Sequence, residues 1–297
     1  MTVLATFTPA GSGEAAILAR FGIGPDALLG AGGESRVFAL DDQRVVRIFG
    51  GRPNLDVVGH LESLAGVDIG VALPEVLEHG ELAGQHYTVD RRMRGVSLAS
   101  WLAEGQSDEV RQQVLLDYLD VAARLRQLPI GDGGFRSLFI ADRVPPGVTL
   151  VELLRVQAEV GLQWNGLLRA AMPDLDQRFD DLLAALSSRD VEPAFVHADY
   201  FAGNVMVDDG RVSGVLDISV HALAADPVMD EVAAVCFLEH VHYPQAGADT
   251  VWLEEQLLAR LGDEAWLVDA YRRWYALYYS MDEALLDWSV RVLSSSG

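Results

Sequence analysis

Four polar side chains lie at fixed offsets in the otherwise apolar stretch FVHADYFAGNVMVDDGRVSGVLDISV, residues 195–220. His197, Asp199 and Asn204 follow one short β-rich run, and Asp217 ends another. An aspartate can accept a proton from a hydroxyl group, while an asparagine and a second aspartate supply the hard oxygen ligands that suit Mg²⁺. The pattern therefore predicts a metal-assisted site at the ends of two strands.

The catalytic loop of protein kinases places an aspartate and a metal-binding asparagine at the same separation. In this sequence a turn at Asp208-Asp209-Gly210-Arg211 is a good hairpin signal, and it leads into the strand that ends at Asp217. The pattern favours Asp199 as the proton acceptor, with Asn204 and Asp217 holding a Mg²⁺ ion shared with triphosphate oxygens. The alternative interpretation is a hairpin with incidental polar residues.

Three segments, HADYFAGN (197–204), GVLDIS (214–219) and ADPVMDEVA (225–233), resemble the aminoglycoside phosphotransferase and choline kinase superfamily. The resemblance covers nearly the whole chain, because the order of a β-rich part and a helical part also matches. It implies a phosphotransferase that uses ATP, or alternatively GTP, together with Mg²⁺. The roles it implies are a catalytic base at Asp199, loop orientation by His197, metal ligation by Asn204 and Asp217, and structural aspartates at Asp226 and Asp230.

This sequence departs from the usual motif at three points. Ala198 replaces the usual glycine, a change that costs little unless its φ is positive. Ile218 and Ser219 replace the common aromatic residue and its neighbour. The gap between Asp217 and Asp226 is one residue longer than the commonest spacing, which keeps every acidic position.

The first part of the chain reads as a small β-rich lobe. A helix is expected over 13–21, and the β-rich runs SRVFAL and RVVRIF flank Asp41-Asp42-Gln43 as a hairpin. A helix over 55–65 and strands over 75–80 and 85–90 complete it.

The second part reads as mostly helical, with helices over 97–104, 107–128, 149–171, 175–188, 228–241 and 251–290 and a loop over 129–148. We therefore predict an α+β, bilobal protein-kinase-like fold. Residues 1–94 would form an N-terminal nucleotide-binding lobe, and residues 95–297 a C-terminal catalytic and acceptor-binding lobe. RRMRG, residues 91–95, is the expected connector.

A nucleotide-binding site is predicted from a glycine cluster and from a basic residue on the strand that follows it. Backbone N–H groups around Gly32 and Gly33 would close over phosphates, with Ser35 as an extra donor. Kinase-like folds place a lysine on the following strand, but all 22 basic residues here are arginine, and Arg47 stands in the matching place. Glu62, on the next helix, is the expected partner of Arg47.

Two further expectations concern the nucleotide. Arg44 is the rival cation, but its odd separation from Arg47 puts it on the opposite face of the strand. Adenine is expected to bond the connector backbone around Asp90, Arg91 and Met93, with the Met93 side chain packing on the ring.

The composition of the chain limits the classes of molecule that it is expected to bind. The net charge of −22 disfavours nucleic acid and favours a cationic small molecule. No apolar segment is long enough to cross a bilayer, and the N-terminus lacks a basic region before its apolar stretch, so no membrane partner is expected. Cys236 is the only cysteine, which excludes an internal disulfide framework. We expect a cytoplasmic monomer or homodimer.

The acceptor is expected in the acidic helical lobe, since residues 96–297 hold 32 acidic against 14 basic residues. A cationic antibiotic, either an aminoglycoside or a basic peptide, would confer resistance when phosphorylated, and carboxylates would line its site. The candidate contacts are Tyr200, Glu152, Glu159, Glu239 and Asp282. The aromatic run YRRWYALYYSMDEALLDW, residues 271–288, is expected to be core, although a few rings could form a stacking wall.

Three alternatives stay open at this point. The enzyme could be a metabolic kinase for an amino sugar, choline, homoserine or a macrolide. The missing lysine could indicate a non-catalytic nucleotide-binding pseudokinase, although such a module needs no base at Asp199. A protein kinase is disfavoured, because no Ala-Pro-Glu segment follows Asp217 and no long activation segment fits before Asp226.

Overall fold

The computed structural model of the protein describes residues 12–32, 35–51, 53, 55–140, 144 and 147–295, except for the side chains of Ser12 and Asn165. The chain divides into two compact units. The first comprises the residues up to Gly95 and a return segment, Ser213–Ile218, and the second comprises Val96–Val212 and the chain from Ser219 onward. Asp217 therefore groups with the first unit, whereas a boundary after residue 94 assigns it to the second.

The first unit is built around a five-stranded antiparallel sheet with the strand order β1-β2-β3-β5-β4. Asp41 closes the β2–β3 hairpin, because its Oδ1 accepts the N–H groups of Gln43 and Arg44, both at 2.8 Å. The elements are α1 (Ser12–Phe21), β1 (Leu28–Ala31), β2 (Ser35–Ala39), β3 (Arg44–Phe49), α2 (Leu55–Ser63), β4 (Val76–Leu82) and β5 (Gln85–Arg91).

The core of this unit follows from the alternation of side chains along the central strands. Buried residues at every second position of β3 and β5 point to one face of the sheet, where they meet two buried residues of α1. The core residues are Ile17, Leu18, Phe38, Val46, Ile48, Tyr87 and Val89. The polar side chains of these strands, such as Arg47, therefore lie on the other face of the sheet.

The second unit is mostly helical. Its helices are α3 (Leu98–Ala103), α4 (Asp108–Arg124), α5 (Leu150–Asn165), α6 (Leu167–Ala171), α7 (Leu175–Leu186), α8 (Val228–Cys236), α9 (Ala246–Leu261), α10 (Trp266–Tyr278) and α11 (Leu286–Ser294). Large buried aromatic side chains, among them Tyr118, Tyr200, Tyr271, Trp274 and Tyr275, fill the space between them. The aromatic run in α10 is therefore core, as expected.

Short strands complete the second unit: β6 (Val96–Ser97), β7 (Arg136–Ser137), β8 (Ala194–Val196), β9 (Val205–Asp208) and β11 (Leu223–Ala225). A further strand, β10 (Arg211–Val215), begins in the second unit and continues into the return segment. The central strand β11 pairs antiparallel with β7 and β8. The other sheet has the order β10-β9-β6. The loop from β8 to β9 carries His197, Asp199 and Asn204.

Several predicted boundaries were wrong, each for a local reason. Gly166 adopts a left-handed φ of 68° and ends α5, so the helix predicted over 149–171 is two helices. The helix predicted over 251–290 is likewise interrupted, first at Gly262 with a φ of 55°. The loop predicted over 129–148 contains β7, and β11 was not predicted. Within the described part of the chain, no helix has the length and apolar character needed to span a membrane.

Candidate active site

The backbone that follows β8 is held by a buried carboxyl group from α8. Asp230, in the first turn of α8 and 1% exposed, accepts the N–H of His197 at 2.8 Å and that of Ala198 at 3.0 Å. Burial raises the pKa of Asp230 to about 6, while His197 and the two N–H groups oppose this shift. Asp226 is also fully buried and accepts from Arg189 and the Tyr271 hydroxyl. Both aspartates hold structure, as the sequence indicated.

His197 and Ala198 shape the turn that presents Asp199. His197 is fully buried, and its Nδ1 accepts the N–H of Asp199 at 3.3 Å. Ala198 has a φ of 61°, in the left-handed region that disfavours a residue with a Cβ atom. Because this φ is positive, alanine is a strained replacement for glycine at this position, and the turn carries local strain.

Asp199 is held by two side chains of the second unit. The Tyr279 hydroxyl lies 2.7 Å from Asp199 Oδ1 and 3.0 Å from the Ala198 carbonyl oxygen. Asn204 Nδ2 donates to Asp199 Oδ2 at 3.2 Å and to its carbonyl oxygen at 3.0 Å. Burial, followed by the negative charge of Asp199, raises the pKa of Tyr279 far above its ordinary value, so this hydroxyl keeps its proton and acts as a donor.

Sequence reasoning missed Tyr279. It lies eighty residues from Asp199 in the aromatic run, where helical spacing indicates only core packing. No local signal distinguishes it from the other rings of that run, because its contact with Asp199 is long-range.

The two residues predicted to bind metal fit the chemistry of Mg²⁺. Because both hydrogen bonds of Asn204 use its NH₂ group, its Oδ1 is the side-chain atom left to face a cation. Asp217 is half-exposed, at 50%, and its φ of 59° turns it away from the path of the strand. Among the described residues, no three His, Cys, Asp or Glu side chains cluster as a metal site. Each of the two residues offers a hard oxygen atom of the kind that Mg²⁺ prefers.

Arg47 pairs with residues other than the one expected. Its Nε lies 3.2 Å from Asp90 Oδ2, and its NH1 atom lies 3.5 Å from Asp217 Oδ1. Asp90 reaches it because β3 and β5 are neighbours, with Val45 opposite Asp90 and Arg47 opposite Thr88. Glu62 is exposed on α2, so its assignment as the partner of Arg47 was wrong.

Arg47 stays positively charged beside Asp90 and Asp217. Burial disfavours the charged guanidinium, but the carboxyl groups of Asp90 and Asp217 outweigh it, and the pKa of Arg47 is raised. Burial also raises the pKa of Asp90, and Arg47 opposes that shift. Arg44, the rival cation, is half-exposed and pairs with Asp41 at 2.7 Å, on the other side of the strand.

The other residues predicted to contact the nucleotide lie in the glycine loop and in the connector. Gly32 N–H donates to the Ser35 carbonyl oxygen at 2.9 Å, which ties the residue after β1 to the start of β2, while Gly33 lies outside the described residues. The N–H of Arg91 already donates to the Glu75 carbonyl oxygen at 2.8 Å, and its side chain pairs with Glu75, so neither group is open to adenine. Met93 packs beside Gly214, where an added Cβ atom would lie 2.6 Å from the Met93 sulfur.

The carboxyl group of Asp199 opens onto a cavity of about 640 Å³. We name it the Asp199 cavity and define it by Asp199, Phe201, Phe237, His240, Tyr279 and Asp282. Its size is that of a site for a drug-sized ligand. The arrangement presents an oriented carboxyl group to a molecule bound beside it, which is what proton abstraction from a hydroxyl group requires.

Of the predicted acceptor contacts, only Asp282 lines this cavity. Tyr200 is fully buried, stacks on Tyr118 with ring centroids 4.9 Å apart and donates to the Tyr118 carbonyl oxygen, so its assignment to the acceptor was wrong.

The predicted glutamates do not line the Asp199 cavity either. Glu152 closes the capping box of α5 with Thr149. Glu239 accepts from Trp288 Nε1 at 2.7 Å and from Arg291 at 3.0 Å. Glu159 lies in α5, outside the lining. These three residues were wrong for this cavity, because local capping, ion pairing and helix position place them elsewhere.

Comparison with protein families agrees with this arrangement. A family model described as "Phosphotransferase enzyme family" matches residues 27–235, more than half of the 297-residue chain. No curated protein is similar enough in sequence to match.

Solved structures are similar over most of the chain. A thermostable mutant of aminoglycoside phosphotransferase APH(4)-Ia, in ternary complex with ADP and hygromycin B, has a TM-score of 0.70 and 21% identity and covers 95% of this chain and 96% of its own. The gentamicin complex of APH(2")-IIa has a TM-score of 0.58 and 14% identity, covering 91% of both chains. At these identities the likeness establishes the fold, and the predicted α+β kinase-like fold class is confirmed.

Proposed function

The chain belongs to the phosphotransferase enzyme family, and on that premise we propose that it transfers the terminal phosphoryl group of ATP, with Mg²⁺, to a hydroxyl group of a small basic molecule. Membership confirms the predicted superfamily and the predicted enzyme class, a nucleotide-dependent phosphotransferase with a hydroxyl acceptor. The observation that carries the proposal is Asp199, which faces the Asp199 cavity while Tyr279 and Asn204 orient its two oxygens.

Asp199 is the proposed base. It accepts the proton of the acceptor hydroxyl as the new oxygen–phosphorus bond forms and the bond from the terminal phosphorus to the bridging oxygen breaks, which releases ADP. Tyr279 and Asn204 hold the carboxyl group still at the wall of the Asp199 cavity. Positioning of this kind, together with charge stabilisation, supplies most of the acceleration in phosphoryl transfer.

Arg47, Asn204 and Asp217 are the proposed nucleotide and metal residues. A Mg²⁺ ion, when bound, would neutralise charge on the phosphate oxygens. Asn204 Oδ1 and the Asp217 carboxyl group are the oxygen ligands proposed for it, and Arg47 is the cation proposed for the phosphates. Asp90 supports the last role, because its ion pair orients the guanidinium on the exposed side of β3.

Two features support a basic acceptor. The residues from 96 onward carry most of the net charge of −22, and solved structures of similar fold include complexes with hygromycin B and gentamicin. Basic antibiotics, among them aminoglycosides and basic peptides, are therefore the first acceptors to test, and metabolic amino alcohols are the second.

A coupled assay of ADP release, run with Mg-ATP against basic antibiotics, amino sugars and small amino alcohols, tests the proposal. We expect acceptor-dependent ADP release that disappears in Asp199→Ala, while ATP binding measured by calorimetry stays within about threefold. Binding of Mg-ATP without transfer to any acceptor would favour the non-catalytic nucleotide-binding module instead.

A further inference from the structure

The walls of the Asp199 cavity restrict the acceptor more narrowly than the net charge of the chain does. On the premise of the proposed phosphotransfer, we infer that the acceptor is an amphipathic alcohol, with a carbon-rich ring face and a single basic group, rather than a polar polycation. The inference comes from which side chains line the cavity and from how firmly they are held.

Aromatic and aliphatic side chains form much of the lining. Phe201, Phe237 and Leu285 contribute rings and methyl groups, and Ala99 and Ala103 add the small apolar surface of α3. Apolar surface of this kind gains from burying carbon and gains nothing from burying hydroxyl or ammonium groups that it cannot pair. A ligand with a carbon-rich face matches it, whereas a polyhydroxylated polycation does not.

Phe237, the buried ring of the aromatic wall, is held in place before any ligand binds. The Phe237 ring makes edge contacts with Tyr275 and Tyr279, each with ring centroids 5.3 Å apart, and a tilted contact with Trp288 at 5.8 Å. The Phe201 ring lies directly over Gly203, where an added Cβ atom would come within 2.4 Å of it. A preformed apolar wall binds a complementary face without the entropic cost of ordering.

The charged groups of the lining suit one cation. Asp199 and Asp282 are the acidic residues among the lining residues, and no arginine is among them. Asp199 is the proposed base, which leaves Asp282 for one amino group of the acceptor. The N–H of Ala284 donates to Asp282 Oδ1 at 2.9 Å and so orients this carboxyl group.

The other groups of the lining add little charge. Burial lowers the pKa of His240, so this ring is neutral at neutral pH and offers no attraction to an anion. An acceptor with several ammonium groups would bury the others without carboxylate partners, which is costly. An anionic acceptor would meet two carboxyl groups and no arginine, and the basic side chains of the lining are two histidines, His240 and His242.

A binding comparison tests this inference separately from catalysis. Erythromycin and clindamycin serve as monobasic amphipathic alcohols, gentamicin serves as a polycation, and the readout is the Kd from calorimetry in the presence of Mg-AMP-PNP. We expect the monobasic compounds to bind at least ten times more tightly than gentamicin. Their Kd should change less than threefold between low and high salt, because a single ion pair carries little of the affinity.

Substitutions in the lining test whether these compounds bind in the Asp199 cavity. Phe237→Ala should weaken binding of the monobasic compounds at least tenfold, and Asp282→Asn should weaken it about three- to tenfold, an ion-pair loss of about 1 kcal/mol. Trp266→Ala is the matched control, since this tryptophan is exposed and lies outside the lining, and it should leave Kd unchanged. Thermal melting of each variant identifies any loss of folding, and the milder Phe237→Leu should then show an intermediate Kd.

Tighter binding of gentamicin, with a Kd that rises steeply with salt, would overturn the inference while leaving phosphotransfer intact. Binding of neither class would overturn it as well. The proposed function is judged by a different result, ADP release that depends on any acceptor of the panel, monobasic or polycationic, which Asp199→Ala should abolish.

Discussion

The Tyr279 hydroxyl lies 2.7 Å from Oδ1 of Asp199 and joins the end of the α10 segment to the loop after β8. Because burial and the neighbouring charge raise the pKa of Tyr279, the hydroxyl stays protonated and acts as a hydrogen-bond donor to the carboxyl group. The contact restrains the rotation of Asp199 and leaves its second oxygen to Asn204 at 3.2 Å. The orientation of the proposed base thus depends on a residue far away in the sequence.

Tyr279→Phe should therefore lower kcat with little change in the KM for ATP. Loss of a hydrogen bond to a charged group costs about 1.5–3 kcal/mol, which corresponds to a decrease of roughly 10- to 100-fold. Steady-state kinetics measures the effect, and Tyr275→Phe is the control, because the Tyr275 hydroxyl donates to the Met229 carbonyl oxygen instead. Equal losses of kcat in the two variants would assign the effect to packing rather than to the base.

Arg47→Ala should weaken nucleotide binding, because this guanidinium is the proposed phosphate cation and is already held by Asp90 at 3.2 Å. Loss of charged hydrogen bonds predicts a Kd for ATP raised by roughly 10- to 100-fold. The control is Arg44→Ala on the same strand, whose partner is Asp41, and it should change Kd less than twofold. Calorimetry with Mg-AMP-PNP decides between them, and equal effects would show that general positive charge, not Arg47, binds the nucleotide.

Much of the proposed site was predictable from the sequence because its parts are close together in the chain. Asp199 and Asn204 lie on one loop, and the hairpin turn after β9 needs only the residues 208–211. The structural roles of Asp226 and Asp230 were implied by the family resemblance, whereas their long-range partners lie 32 or more residues away in the chain.

The features that sequence reasoning missed depend on pairing between distant segments. Arg47 pairs with Asp90 and not with Glu62 because of the register of β5 on β3. This register cannot be read from a local sequence pattern. Tyr279 belongs to a run of rings whose spacing predicts burial equally well for each. The core position of Tyr200 depends on stacking with Tyr118 from α4, although its place beside Asp199 in the sequence favoured contact with the acceptor.

Gly203→Ala should weaken acceptor binding while sparing the nucleotide. An added Cβ atom would lie 2.4 Å from the Phe201 ring, so the ring must move from its place in the Asp199 cavity. Phe201 is 36% exposed and its ring can swing aside, so folding should be kept, while loss of its apolar contact predicts a KM for the acceptor raised by roughly tenfold.

The matched control for this change is Gly247→Ala in α9, where nothing lies within 4 Å of the added atom. It should leave both KM values unchanged. A Gly203→Ala enzyme with an unaltered KM for the acceptor would contradict the placement of Phe201 in the acceptor site.

Asp230 predicts a pH dependence of stability. Its pKa is raised from 3.8 to about 6 in the folded protein, chiefly by burial, so folding favours its protonated form. Its contribution to stability is therefore fully present below about pH 4 and is lost as the pH rises through about 6. The free energy of unfolding should fall by up to about 3 kcal/mol relative to Asp230→Asn between these limits.

Urea unfolding of the wild type and of Asp230→Asn at several pH values between about 4 and 7 measures this difference. The variant cancels the titration of this group, while the other titrating groups are common to both proteins. A difference between the two proteins that does not change with pH would show that Asp230 stays ionised throughout, held by the N–H groups of His197 and Ala198.

The central claim is that Asp199 takes the proton of an acceptor hydroxyl during phosphoryl transfer. A single-turnover reaction followed by ³¹P NMR tests it most directly, with enzyme in excess of Mg-ATP and an acceptor found by the ADP-release assay. We predict a new phosphate ester signal in the wild type and a rate lowered on the order of 10²–10⁴-fold in Asp199→Asn, with AMP-PNP binding preserved. Ester formation at the wild-type rate in Asp199→Asn would contradict the account.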